Sequence, residues 1–398
     1  MKFTLLTNVP SPHRLPLARE LVKHFGENEY RYIYTEELES QRHDMGWQED
    51  CSPKWCFKGD DSSPELQDST LLFSTLRTLD VFDRRLTANQ LTCYGSERWF
   101  KPPHGFLRML SPAYRRMAKR FVEYLDSKYF HYFPQGIHAA RDMMRIQGIF
   151  HGDYSCIFHA PKVAFEPKPG GRIIPLDQAI KENLLSPQEI EWGHKHGFIR
   201  IPPEHWQDIK EPGPWSNYHL WGYFVAPGNT TQTSPVSTPA KKILWVGRML
   251  DWKRVGTLIK ALPASMELDL YGHGPDETHL RRLASSKANV HFHDFLPIEQ
   301  VRELMHQHDL YVLPSDGGEG WGAVLNEALE EGMAVLASLE SGSGATILPP
   351  EQLFHAGNAK ELREKLSPPI PKPAIGDWTA SKAAKYLVRF LYSYAKHS

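Results

Sequence analysis

Beyond residue 240, short apolar runs at 243–246, 268–271, 290–292, 310–313 and 334–337 alternate with stretches of helical periodicity. A strand that is apolar along its whole length must be covered on both faces, and the intervening helices provide that cover. The pattern therefore dictates a parallel sheet with crossover helices. The start of the chain follows the same rule. Residues 3–7 read as a buried strand, Pro10 and Pro12 mark a turn, and Leu15, Leu17, Leu21, Val22 and Phe25 form a helical stripe. Further strands are expected at 30–34, 91–96 and 129–133, with a helix over 137–146. At 398 residues the chain suits two domains rather than one core.

The expected division is an N-terminal domain over 1–226, a Gly-, Ser-, Thr- and Pro-rich linker over 227–240 and a C-terminal domain over 241–377. A closing amphipathic helix over 378–398 can dock on the N-terminal domain. Residues 161–214, rich in Pro, Gly and charge, read as an insertion, and 36–64 as a long loop.

Lys and Arg number 46 against 47 Asp and Glu, so no global field draws the chain to nucleic acid, and any basic surface is local. Four cysteines form no C-x-x-C pair, and Cys51 and Cys56 have no second pair to complete a zinc site. A reducing cytoplasm and no metal are expected. The first residues lack a signal-peptide core, and no run approaches the ~20 apolar residues of a membrane span. A soluble or peripheral protein is the expectation.

Two places carry chemistry. Gly247 and Arg248 end the strand 243–246, and Lys253 follows five residues later; cations at a strand's carboxyl edge can hold a diphosphate, although a solvated pair beside a turn has the same composition. Secondly, Pro314-Ser315-Asp316-Gly317-Gly318-Glu319-Gly320-Trp321-Gly322 lies between the strand 310–313 and a helix over 323–331. Such a turn brings backbone N–H groups close to an anion. Glu319 lies in the turn and Glu327 two helical turns on, and carboxylates accept paired bonds from vicinal hydroxyls. The plain alternative is that Glu327, Glu330 and Glu331 make one exposed acidic face.

Taken together, V-G-R-x4-K, L-x-L-Y-G-x-G-P (Leu268 to Pro275), D-L-Y-V-L-P-S (Asp309 to Ser315) and E-G-W-G-x4-E resemble glycosyltransferase family 4, of the GT-B fold. The resemblance implies two Rossmann-like α/β domains whose parallel sheets face across a cleft, a nucleoside diphosphate sugar as donor, retention of anomeric configuration, and no metal or cofactor. By position it places Arg248 and Lys253 on the donor diphosphate and Glu319 on the sugar hydroxyls, has Gly320 and its neighbours Gly318, Trp321 and Gly322 offer backbone amides to the donor beside Gly247, sets Glu327 on the ribose, and puts His293 and Phe295 near the base. Asp294 departs from the pattern, standing where glycine is usual.

On the acceptor side the candidates are His13 and Arg14 in the first loop, and Ser96 and Glu97 after the strand 91–96. Glu97 can serve as a base, or simply pair with Arg98 or a neighbouring cation. His131 and His138 read as structural. Lys101, Arg108, Arg115, Arg116, Lys119 and Arg120 lie in a stretch, 101–120, without one acid. Behind the cap Ser111-Pro112, a stripe of Tyr114, Met117, Ala118, Phe121, Val122 and Leu125 opposes Arg115, Arg116, Lys119 and Arg120. Such a helix packs by its stripe and can present its basic face to anionic lipid.

The expected activity is hexose transfer, with UDP the commonest base, to a hydroxyl of a saccharide or lipid-linked saccharide in surface polysaccharide or glycoconjugate synthesis, at or near the inner face of the membrane. A non-catalytic nucleotide-sugar binder is the alternative. An oxidoreductase or epimerase would need a G-x-G-x-x-G turn, which neither 8–14 nor 248–253 supplies.

Overall fold

The computed structural model describes residues 1–38, 51–228, 241–370 and 377–397. The core of the expected linker, 229–240, and residues 39–50 of the expected long loop lie outside the described residues. The chain divides into two units. The first takes in residues 1–37 and 51–222 with the helix Ala380–His397; the second takes in the described residues of Tyr223–Thr379.

In the first unit, β1 (Phe3–Thr7), β2 (Tyr30–Tyr34), β3 (Cys56–Lys58), β4 (Leu71–Ser74), β5 (Leu91–Ser96) and β6 (Phe130–Pro134) form a sheet ordered β3-β2-β1-β4-β5-β6, parallel throughout. A second small sheet joins β7 (Val163–Phe165), β8 (Ile173–Pro175) and β9 (Phe198–Arg200). The second unit repeats the large pattern: β10 (Lys242–Val246), β11 (Glu267–Tyr271), β12 (Val290–His293), β13 (Leu310–Leu313), β14 (Ala334–Ser338) and β15 (Leu353–Phe354) run parallel in the order β12-β11-β10-β13-β14-β15. Both large sheets thus have the doubly wound order, and both belong to the Rossmann-like α/β class. The chain leaves the first strand toward one edge and returns with the fourth on its other side. Loops after those two strands diverge, opening a crevice at their carboxyl ends.

β13 and β14 are buried along their whole length and β10 over Ile243–Trp245, and Ile243, Leu268, Leu270, Leu310, Val312 and Leu336 share one core with Val255, Leu258 and Ile259 of a covering helix. The stretch 161–214, expected as an insertion, has a core of its own, in which Ala164, Ile174, Leu176, Ala179, Leu184, Ile199 and Ile201 meet. Its helix Pro187–His196 carries a complete set of end signals, with a Ser186/Glu189 capping box and Gly197 left-handed at φ 81° beyond the last turn.

The helix Ala380–His397 belongs to the first unit, where it packs against the helix Leu15–Phe25. Its Tyr386 hydroxyl lies 2.6 Å from His219 Nδ1, and His219 Nε2 lies 2.9 Å from His131 Nδ1. Phe390 packs its ring on both imidazoles. A side chain at Gly170 would put its Cβ 2.1 Å from the Tyr386 ring, so only glycine permits this approach. Burial holds both imidazoles neutral, pushing His131 down to about 4 and His219 well below its ordinary value. The unfolded chain, titrating near 6.5, then binds more protons than the folded one below that pH. Stability is complete above about pH 6.5 and falls toward pH 4, by about 3 kcal/mol for His131 alone. A melting curve that drops between pH 7.5 and 5, with a smaller drop in His131→Gln, is the expected result.

Candidate functional site

The crevice of the second unit lies between the loops that follow β10 and β13. Small residues bring the first loop against its neighbour. A Cβ at Gly272 would sit 2.1 Å from the Gly247 carbonyl oxygen, and one at Gly274 would sit 2.3 Å from that of Met249. The Gly247 amide donates to the Tyr271 carbonyl and that of Met249 to the His273 carbonyl. The Y-G-x-G-P motif therefore supplies room for backbone against backbone.

From this loop Lys253 reaches across to the other one. Its ammonium pairs with Glu319 Oε2, which also accepts from the Ser315 hydroxyl at 2.9 Å. The ammonium sits 4.6 Å from the centroid of the Trp252 ring. Both ends are largely buried, with side-chain exposure of 18% for Lys253 and 10% for Glu319. The adjacent Arg254, left-handed at φ 52°, bonds Asp316 through Nε at 2.9 Å and Nη2 at 2.8 Å, tying the same two loops together. Arg248, by contrast, is exposed and forms no ion pair among the described residues.

The turn then enters the helix Ala323–Glu330. Among the described residues the amides of Gly320, Trp321 and Gly322 donate to no partner. Three successive N–H groups ahead of a helix are a natural place for an anion. The turn is braced from behind by the segment after β14. Ser343 N–H donates to the Trp321 carbonyl at 2.8 Å, its hydroxyl to that of Gly322 at 3.1 Å, and a Cβ on Gly342 would meet the Gly320 oxygen at 2.2 Å. The roles of Ser315 and Ser343 were not read from the sequence; the signal that could have found them is their place in D-L-Y-V-L-P-S and in the small-residue turn Ser341-Gly342-Ser343-Gly344.

Burial decides how the residues around this turn can act. The Trp321 indole is buried, donating to Asn326 Oδ1 at 2.8 Å and packed on Trp378, so only its backbone remains for a ligand. The acidic stretch is no solvated face: Glu327 and Glu331 are buried, at 3% and 4% exposure. Arg302 Nε donates to Glu331 at 2.5 Å and His306 Nε2 lies 3.0 Å from it. Glu327 is pushed up to about 7, by burial first, with Arg302 opposing and Glu331 adding to the shift. Burial, with the charges of Glu319 and Glu327 adding to it, pushes the Tyr311 hydroxyl of β13 well above its ordinary value.

At the outer strands, His293 stacks on Tyr271 at 4.4 Å and lies 2.6 Å from Asp269 Oδ1. The hydrogen bond from His308, with that from His293 adding to it, holds Asp269 at about 2. Phe295 lies edge-on to His273, which bridges Glu277 and the exposed Asp294.

In the first unit the acceptor-side candidates are mostly engaged. Glu97 pairs with Lys101, and Arg98 turns instead to Asp142, 3.4 Å away. Ser96 is buried, its hydroxyl 2.9 Å from that of Tyr132, and His13 and Arg14 are half-buried ahead of the first helix. A hollow of about 590 Å³, lined by Thr35, Asp60, Asp61, Ser62, Arg77 and Thr78, opens beyond the ends of β2 and β4.

Comparison with known proteins bears on the second unit. Residues 240–367 match the family model described as glycosyl transferases group 1. An uncharacterized glycosyltransferase of Methanocaldococcus jannaschii is 29% identical over 27% of this chain and 30% of its own length. A GDP-mannose-dependent monoacylated alpha-(1-6)-phosphatidylinositol monomannoside mannosyltransferase of Corynebacterium glutamicum is 30% identical over 37% and 42%. The chain thus spans under half the length of either relative. Across 99% of this chain and all of its own, the Anabaena HepE crystal structure, solved with UDP-glucose, superposes at a TM-score of 0.50 with 13% identity, a likeness of fold. The segment that holds the whole strand-edge arrangement is therefore the one that resembles glycosyl transferases of group 1.

Proposed function

We propose that the chain is a retaining glycosyltransferase that moves a hexose from a nucleoside diphosphate sugar to a hydroxyl of a saccharide or lipid-linked saccharide, without a metal or cofactor. The observation that carries this reading is the Lys253–Glu319 pair spanning the β10/β13 crevice beside three free amides and the unpaired Arg248. A nucleotide sugar needs both halves of that pair. Its diphosphate takes cations and amides, and its sugar takes a carboxylate acceptor. On binding, Lys253 turns to the diphosphate and Glu319 to the sugar hydroxyls. As the glycosidic bond breaks, Arg248, Lys253 and the Gly320–Gly322 amides hold the charge that develops on the leaving phosphate. Glu327, acting behind the turn, holds the ribose, and the acceptor attacks from the face the diphosphate leaves. His293 and Phe295 border the base. In the first unit, Glu97, released from Lys101, orients the acceptor hydroxyl with Ser96, His13 and Arg14 nearby.

A thermal-shift panel of UDP, GDP, ADP and TDP and their sugar conjugates tests this. One conjugate at a hundredfold excess over its dissociation constant should stabilise the protein by about 2.7 kcal/mol. The panel separates uridine, the base bound by HepE, from guanosine, the base named for the Corynebacterium relative. A chain that binds no conjugate overturns the proposal. One that binds without ever releasing the sugar is the non-catalytic binder.

A further inference from the structure

We propose that the first unit carries a docking surface for an anionic lipid bilayer, built from two short apolar turns and the basic helix that follows the first of them. This does not rest on the transfer reading. Among the described residues seven large apolar side chains are exposed, and five of them fall in two places. Leu107 and Leu110, at 67% and 77%, lie on the 3-10 turn Gly105–Leu110. Tyr154, Ile157 and Phe158, at 68%, 41% and 76%, lie on the turn Tyr154–Ile157 and just after it. Scattered exposed apolar residues are ordinary, whereas a cluster signals a partner.

The two turns are distant in sequence and joined by one side chain. Arg145, from the helix Ile137–Phe150, places its guanidinium carbon 3.6 Å from the centroid of the Phe106 ring. Its Nε donates to the Cys156 carbonyl at 2.7 Å and Nη2 to that of Ile157 at 2.5 Å. Gly148, one turn along, leaves the space that Cys156 fills; a Cβ there would lie 2.5 Å from its Sγ. Phe106 and Cys156 thus face inward, while their neighbours Leu107, Leu110, Ile157 and Phe158 are left in solvent.

Charge selects the partner. The helix Pro112–Leu125 begins two residues after Leu110 and buries Ala118, Phe121, Val122 and Leu125. Of its four bases, Lys119 lies 3.7 Å from Glu123 and Arg120 pairs with Asp83, so half of the expected basic face is answered within the protein. Arg115 and Arg116 are exposed and form no ion pair among the described residues. His159 and Lys162 are exposed beyond the second turn. The acid nearest in sequence, Asp153, caps its own turn by accepting from the Ser155 amide and hydroxyl. Apolar tips beside unanswered cations match acyl chains beneath anionic headgroups. No helix of the described residues is long and apolar enough to cross a membrane, so the attachment is interfacial.

Flotation of the full chain with vesicles of equal parts phosphatidylcholine and phosphatidylglycerol, against phosphatidylcholine alone, tests this. The protein should float with the anionic vesicles and much less with the neutral ones, and high salt should weaken the association. The pair L110S/F158S should lower the partition coefficient about tenfold or more. The pair R115E/R116E should lower it about tenfold on anionic vesicles only. All four side chains are exposed, so the melting temperature should stay within about 2 °C of the parent. Equal partitioning of parent and L110S/F158S overturns the proposal. So does a concentration-dependent dimer that this variant abolishes while the parent ignores vesicles, since a second copy would then be the occupant.

Discussion

Lys253→Ala is expected to lower kcat/KM roughly a thousandfold while leaving a folded protein. The size follows from removing one charge aimed at a leaving group in a site partly shielded from water, where each such contact is typically worth ~10²–10³ in rate. The fold survives because Arg254 still ties the two loops through Asp316, and Glu319 keeps the Ser315 hydroxyl. Glu319→Ala should cost a similar factor. Because the two side chains act on one bound molecule and on each other, the double variant should be scarcely worse than either single one, a marked departure from additivity. Lys253→Arg should not rescue, since a broad planar guanidinium cannot stand in for the compact ammonium that meets Glu319 in a largely buried place. Steady-state kinetics with melting curves as controls check this set. Full activity in Lys253→Ala would sink the assignment.

Glu327→Gln should make the free protein more stable at pH 8 and a poorer binder of nucleotide sugar. A carboxyl raised from an ordinary 4.5 to about 7 keeps its proton in the folded state after the unfolded chain has lost its own. Stability therefore declines as pH rises from about 4.5 to 7, and above that the deficit stays near 3 kcal/mol. Glutamine carries no charge to bury, so the variant should melt several degrees higher at pH 8 and almost level with the parent at pH 4.5. If Glu327 accepts from the ribose, the same change weakens donor binding about tenfold. Calorimetry at the two pH values and a binding titration give the answers separately. An unchanged melting point at pH 8 contradicts the buried charge, and unchanged affinity contradicts the ribose contact.

The pattern of apolar runs located most strands of both large sheets because a strand covered on two faces writes its burial into contiguous residues, yet β4, buried throughout beside β1, went unseen with only four residues. β3 and β15 escaped because two or three residues hold too little pattern, and β7 to β9 for the same reason, with their small core assembled from separate segments. The glycine turns were legible as turns, but their purpose was not. That Gly342 makes way for Gly320, or Gly272 for Gly247, depends on which backbones meet. Pairing was least visible. Lys253 and Glu319 are 66 positions apart, and the Arg302 that answers Glu331 precedes it by 29, so charges that read as solvated turn out to be spoken for. The basic helix shows the same, since Arg120 is answered by Asp83 on another helix.

The helix Ala380–His397 rests on the helix Leu15–Phe25, near the other end of the chain. During synthesis, at ~5–20 residues per second, the first unit therefore waits roughly ten to thirty seconds for this helix, while the second can complete its sheet beforehand. Until then the surface that Tyr386 and Phe390 will cover, with His131 and His219 in it, stands open to water and to chaperones. The closing of the first unit is thus tied to residues made after the second, and Tyr386 and Phe390 decide when His131 and His219 leave water.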